Sequence, residues 1–164
     1  MKFISDIRLL LTGIWLGAAV FFIAVAQSAF TVLPTRELAA SLVSTVLMIL
    51  NISGFIIGLI LFLAALIARQ GFNPAQVWVE RILTLILTIA CAVGQFVIGT
   101  WLGIVKAGMG KPIDEVPVDD PLRIKFNDLH EYSVWVLFAG MLAALLIFFI
   151  IAGKNFWGSK EPKF

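Results

Sequence analysis

The residues best suited to bind a ligand lie just before the last apolar stretch of the chain. Arg123, Asn127 and His130 are spaced i, i+4 and i+7, so they share one face of a helix, and Ser133 continues near that stripe. His130 is the only histidine. Its side chain could titrate near neutral pH, bind a metal ion or hydrogen-bond to a neighbouring helix. Structural hydrogen bonding is the interpretation that we favour for this histidine on its own.

Among the polar residues that interrupt the long apolar stretches are Gln27, Asn51, Gln95 and Thr100. Because an unpaired polar group is costly in hydrocarbon, we expect all four to face the interior of a helical bundle. Two interpretations stay open: hydrogen bonds between helices, or a small polar pocket that opens to the outer side. The residues of that pocket would be Gln27, Gln95, Thr100, Arg123, Asn127, His130 and Ser133.

The helices that position these residues are predicted from four stretches without charge, which are 9–35, 38–68, 82–105 and 132–153. Each is longer than the roughly 20 helical residues that cross a bilayer core of about 30 Å. The chain is 61% hydrophobic and 13% charged, which is too apolar for a soluble domain. We therefore predict an all-α integral membrane four-helix bundle that forms one domain over residues 1–164. Its spans are expected at about 9–33, 38–68, 75–105 and 130–153.

Capping signals predict where three of the helices begin. Thr35 is a candidate N-cap for the second span, and Asn73-Pro74 and Asp120-Pro121 each place an N-cap residue before a proline. The last pair precedes its apolar stretch by about three turns of helix. The fourth helix is therefore predicted to begin near Pro121, outside the membrane.

The distribution of charge predicts the orientation in the membrane. With an even number of spans both termini share a side, and that side carries seven basic and three acidic residues. The other side carries five basic and seven acidic residues. Since basic residues favour the cytoplasm, we predict an up-down-up-down bundle in the cytoplasmic membrane with both termini cytoplasmic. Six aromatic residues near the span ends are predicted to anchor the bundle at the two interfaces: Trp15, Trp78, Trp101, Tyr132, Trp135 and Trp157.

Several classes of function are disfavoured by the residues present. One histidine cannot supply both axial ligands of a b-type haem, and the motifs CxxC, HExxH and GxSxG and the glycine-rich phosphate loop are missing. With no charge inside the apolar stretches, a proton relay or a voltage sensor within the membrane is not expected. A net charge of +2 gives no reason to expect a nucleic-acid partner.

Three weaker patterns remain. The pairs Gly13/Gly17, Gly54/Gly58 and Gly99/Gly103 have the spacing of close helix contacts, within the chain, in a homo-oligomer or with a membrane partner. Met48, Cys91 and Met141 lie near mid-membrane and could in principle bind Cu(I), although packing is the commoner role. The acidic loop within residues 106–121 is expected to be solvated, with weak attraction for hard cations as the alternative.

The functional expectation is a non-enzymatic membrane protein that handles a small solute or metal ion at the outer polar pocket, with the lipid bilayer as its surroundings. One alternative is a structural or accessory subunit of a larger membrane complex. Another is a cofactor-binding membrane redox protein. The residues identify neither a cofactor nor a metal.

Two segments resemble the signatures of a family of small four-span membrane proteins. The first is Trp15–Phe22 with Ala29-Phe30 and Leu33–Ala39, and the second is Pro121-Leu122-Arg123 with Phe126, Leu129-His130 and Ser133. This family of unknown function is similar to eukaryotic transmembrane protein two-hundred-five. The chain has a weaker resemblance to the four-helix copper-resistance D-type membrane domain. The resemblance covers most of the chain and implies a four-span fold, and the family has no established biochemical activity.

Overall fold

Four long helical rods follow the four apolar stretches in this computed structural model, which describes residues 2–67 and 74–157. Each rod is long and apolar enough to cross a membrane, so the all-α prediction is confirmed and the rods suit a four-span bundle. The rods are α1 (Lys2–Val32), α2 (Arg36–Ile67), a third rod made of α3 (Pro74–Ala92), a π-helix (Val93–Gly99) and α4 (Thr100–Met109), and α5 (Pro121–Trp157). A short 3-10 helix (Ile113–Glu115) lies between α4 and α5.

The helix ends follow local sequence. The Oγ1 of Thr35 accepts a hydrogen bond of 3.3 Å from the backbone N–H three residues later, as expected of an N-cap. The Oδ1 of Asp120 accepts one of 2.8 Å from the N–H two residues later, and α5 begins at Pro121. Gly110 ends α4 with a φ of 64°, which a residue with a Cβ rarely adopts. The predicted N-cap Asn73 lies outside the described residues, as do Arg69, Lys160, Glu161 and Lys163 of the charge balance.

The rods close into a ring, since each packs on the next and α5 also packs on α1. The largest fully buried apolar side chains are Trp15, Leu61, Leu87, Ile147 and Ile151. Trp15 is only 2% exposed, and its Nε1 donates a hydrogen bond of 3.0 Å to a backbone oxygen of α2. The expectation that Trp15 anchors the bundle at an interface is therefore wrong, because this indole lies in the core.

The two ends of the bundle are packed differently. We call residues 2–15, 51–67, 74–92 and 140–157 the termini half, and residues 16–50 and 93–139 the loop half. Most of the buried apolar cluster lies in the termini half. In the loop half, α4 packs on α5 rather than closely on α2, and Lys125 of α5 lies over the ring of Trp101 at 4.7 Å. Beyond the π-helix the third rod therefore diverges from α2, and this divergence leaves space between the two rods in the loop half.

Candidate functional site

The stripe predicted on the fourth span forms on α5, but it does not enclose a pocket. Asn127 and His130 are exposed, whereas Arg123 and Ser133 are half-buried. The Arg123 guanidinium donates to the backbone oxygen of Val116 and so ties the connecting loop to α5. Ser133 Oγ donates a hydrogen bond of 2.6 Å to the His130 backbone oxygen of the same helix. These four residues therefore cover one outer face of α5.

The polar residues of the other rods are divided between the surface and the interior. Gln27 and Thr100 are exposed, Gln95 is half-buried, and Asn51 is buried. The expectation that all four face inward is wrong for Gln27 and Thr100. The cause is helical phase, since Thr100 lies two residues, or about 200° of helix turn, from buried Ile98. Its Oγ1 donates to its own helix at 3.0 Å, so the hydroxyl keeps a partner without facing inward.

An open cleft does exist at the loop end, but other residues form it. It has a volume of about 430 Å³ and lies between the start of α2 and the end of α4. Its charged residues are Glu37, Lys106 and Lys111, and Lys106 Nζ lies 3.9 Å from Glu37 Oε1. Its remaining lining residues are Gly103, Ala107, Gly110 and Pro112. The cleft thus presents both signs of charge beside a backbone that side chains do not cover.

A buried ion pair in the termini half is the main feature that sequence reasoning missed. Arg8 of α1 and Glu80 of α3 form a salt bridge, and they are only 7% and 2% exposed. A signal was present in the spacing: Arg8, Thr12 and Trp15 follow i, i+4 and i+7, and all three are buried. Both charges lie at the edges of the uncharged stretches, so charge counting placed them outside the bundle. Charged groups packed between membrane helices are a common mark of function.

Metal ligands do not gather in the part of the chain that the structure describes. Among those residues, no three His, Cys, Asp or Glu side chains are close enough to hold an ion. Cys91 is buried, whereas Met48 is exposed, so the soft ligands considered for Cu(I) do not share one interior site.

The three glycine pairs serve different purposes. Gly54 and Gly58 are buried, and a Cβ at Gly54 would clash with the indole of Trp15. A Cβ at Gly58 would come within 2.6 Å of Thr88 Oγ1 and 3.2 Å of the Thr88 backbone. By contrast, no atom of the described residues lies within 4 Å of a Cβ at Gly17 or Gly103. Gly54 and Gly58 therefore bring helices together inside the chain, whereas Gly17 and Gly103 face open space.

A buried polar side chain, that of Asn51, lies at the centre of the bundle, where the two halves meet. Asn51 is 6% exposed and borders a narrow gap between side chains. The other lining residues are Trp15, Ala90, Cys91, Val136, Leu137 and Gly140. A Cβ at Gly94, in the adjoining π-helix, would lie 3.2 Å from Asn51 Nδ2, so glycine there lets the amide approach the backbone.

Comparison with known proteins identifies no relative of this chain. No family model, no curated protein and no solved structure matches the chain. The likeness to the four-span family therefore stays a prediction.

Proposed function

We propose that the protein is a non-enzymatic multi-pass protein of the cytoplasmic membrane that binds a small polar solute from the outer side. In this proposal the rods run up-down-up-down, and both termini are cytoplasmic. The termini half then faces the cytoplasm, and the loop half faces outward. The positive balance of charge at the termini side supports this orientation.

The observation that carries the proposal is the open cleft of the loop half. It is built by residues of α2, of α4 and of the loop that follows α4, in the half of the bundle where α4 does not pack closely on α2. Because Lys106 lies beside Glu37, the cleft offers both a cation and an anion to a solute. Two lysines repel a bare metal cation, so a polar or zwitterionic solute suits the cleft better than a metal ion.

Ligand binding can be tested by thermal unfolding of the purified protein in mild detergent. The probes are glycine, phosphate, glycerol, acetamide, Zn²⁺ and Cu⁺, each compared with buffer. A solute that binds the folded state raises the melting temperature in proportion to RT ln(1 + [L]/Kd). We expect at least one polar probe to do so in the wild type, and Lys106→Ala to remove the shift.

Matched variants on the α5 stripe separate the cleft from the site that the sequence predicts. His130→Ala and Asn127→Ala change exposed residues outside the cleft and should keep the shift. If those variants remove it while Lys106→Ala does not, the solute binds the stripe instead. If no probe raises the melting temperature at millimolar concentration, the proposed function is wrong.

The orientation has its own test. Alkaline phosphatase, which is active only outside the cytoplasm, can be fused after Gly110 or at the C-terminus. Activity of the first fusion and inactivity of the second are expected, and the reverse result would contradict the orientation.

An accessory-subunit role is the second candidate, and the exposed glycines favour it. Gly17 and Gly103 leave open backbone at the surface, where a helix of another chain could pack closely. Purification from native membranes in mild detergent tests this role. A defined partner that Gly103→Leu releases would support it, and a chain that always purifies alone would count against it.

A further inference from the structure

The side chain of Asn51 is largely buried, and it has no hydrogen-bond partner in the part of the chain that the structure describes. The residue is 6% exposed, and among the described residues its side chain makes no hydrogen bond. An amide carries one acceptor and two donors, and buried polar groups in native proteins are almost always paired. The missing partner is therefore the unusual feature of this residue.

The space beside Asn51 differs chemically from the cleft at the loop end. No charged residue lines it, and its other lining groups are apolar or aromatic apart from the Cys91 thiol. It is too narrow for a water molecule as it stands. The indole N–H of Trp15 is already taken by a backbone oxygen at 3.0 Å, so the Asn51 amide is the polar group left to meet a ligand there.

A π-helix and a pair of half-buried side chains border this space. The π-helix borders Asn51 at Gly94, and π-helical turns inside α-helices occur frequently at functional sites. On the α5 side the wall is Val136 and Leu137, which are half-buried and belong to the loosely packed loop half. A solute can enter only if Val136 and Leu137 move, and Leu137 also packs against the buried apolar cluster.

The geometry points to a binding site at the centre of the bundle for a small uncharged solute that both donates and accepts hydrogen bonds. The Asn51 amide pairs with the solute, and the apolar lining excludes ions because a charge there would be desolvated without a counter-charge. This inference goes beyond the proposed function, because it adds a second site, separate from the cleft, for a solute that carries no charge.

Cys91 is a built-in reporter of this site, because it lines the same space and is the only cysteine. The experiment follows labelling of the purified full-length protein by methyl methanethiosulfonate, a small uncharged thiol reagent. Glycerol and acetamide serve as trial solutes, and sucrose is the control for viscosity and osmotic strength. We expect slow labelling of the folded wild type, slowed several-fold further by glycerol or acetamide and unchanged by sucrose. Cys91→Ser should show no labelling.

Two variants test the role of the space. Asn51→Leu removes the amide and should reduce the protection by the solute about tenfold, as expected for one lost hydrogen bond. Gly140→Ala adds a methyl group that meets Ala90, Trp15 and Leu87 at ordinary contact distances of 3.6 to 3.8 Å, so it should fold and slow the labelling. Gly17→Ala adds the same group to open space, away from both the cleft and this site, and should label like the wild type.

Three results would overturn the inference. The first is a wild type that labels only after denaturation, and the second is protection that persists in Asn51→Leu. The third is a Gly140→Ala variant that labels as fast as the wild type, which decides the matter even if Asn51→Leu does not fold. Failure of the proposed function looks different, because the melting temperature then responds to none of the probes. If the melting temperature shifts in a way that depends on Lys106 while Cys91 stays inaccessible to the reagent, the solute binds in the cleft and the central site does not exist.

Discussion

Two arginine–carboxylate pairs show how differently the two halves of the bundle use the same chemistry. Arg8 and Glu80 meet inside the termini half, with side chains 9% and 3% exposed. Arg36 and Asp114 meet at the loop end at 2.9 Å, with side chains 71% and 47% exposed. Water and salt weaken the exposed pair, whereas the buried charges depend on each other. Burial, and not residue type, therefore decides what each pair contributes.

The same contrast holds for helix packing. In the termini half α2 and α3 approach through Gly54 and Gly58, and little space is left between the rods. In the loop half α4 turns toward α5, and Gly103 borders an open cleft. One half therefore holds the bundle together, and the other has room for a ligand.

Breaking the buried ion pair should have the largest effect. Removing one member separates two opposite charges that are buried together, so Arg8→Ala or Glu80→Ala should cost about 3–5 kcal/mol of unfolding free energy. The matched change Arg36→Ala should cost less than about 1 kcal/mol, because that pair is exposed. Unfolding in mixed micelles by SDS titration measures both losses. Equal losses at the two sites would contradict the comparison.

A double variant sharpens this result. Arg8→Met with Glu80→Met removes both charges and fills the space with apolar atoms, so it should recover most of the stability lost by either single change. If it recovers stability but abolishes a ligand-induced shift of melting temperature, the pair has a role in binding as well. Full recovery of both properties would restrict the pair to a structural role.

Adding a methyl group at the buried glycines should have the next largest effect. Gly54→Ala and Gly58→Ala overpack the contacts with Trp15 and Thr88, at an expected cost of about 1–3 kcal/mol. Gly17→Ala and Gly103→Ala meet nothing within 4 Å, and alanine favours the helix by up to about 1 kcal/mol. In thermal unfolding in detergent, the first two variants should therefore melt at a lower temperature than the wild type, and the other two at an equal or higher temperature. If Gly103→Ala is destabilising instead, the face of α4 around Gly103 must be in contact with another part of the protein or with another molecule.

The smallest expected effect is the loss of one hydrogen bond in the core. Trp15→Phe removes the 3.0 Å bond to the Leu50 backbone oxygen and part of the buried ring, which should cost about 1–2 kcal/mol. Trp101 is exposed, so Trp101→Phe should change stability by less than about 0.5 kcal/mol. SDS titration again provides the measurement. A larger loss for Trp101 would mean that its contact with Lys125 holds the loop half together.

The sequence by itself determined the helices and several of their ends. Long runs without charge require helices that satisfy their own backbone in lipid, and this requirement acts within each run. Thr35 and the Asp120-Pro121 pair cap helices through bonds to residues two or three positions away. Features of this kind depend on neighbours along the chain, so the residues alone reveal them.

Only the tertiary structure decided which face of each rod meets the others. A helix that is apolar all round gives a weak periodic signal, so the sequence cannot fix its rotation. For this reason Gln27 and Thr100 turned out to be exposed while Asn51 is buried, and Trp15 lies in the core. The pairing of Arg8 with Glu80 likewise joins residues far apart in the chain. Such contacts depend on how the rods pack, and that packing is set by the whole bundle at once.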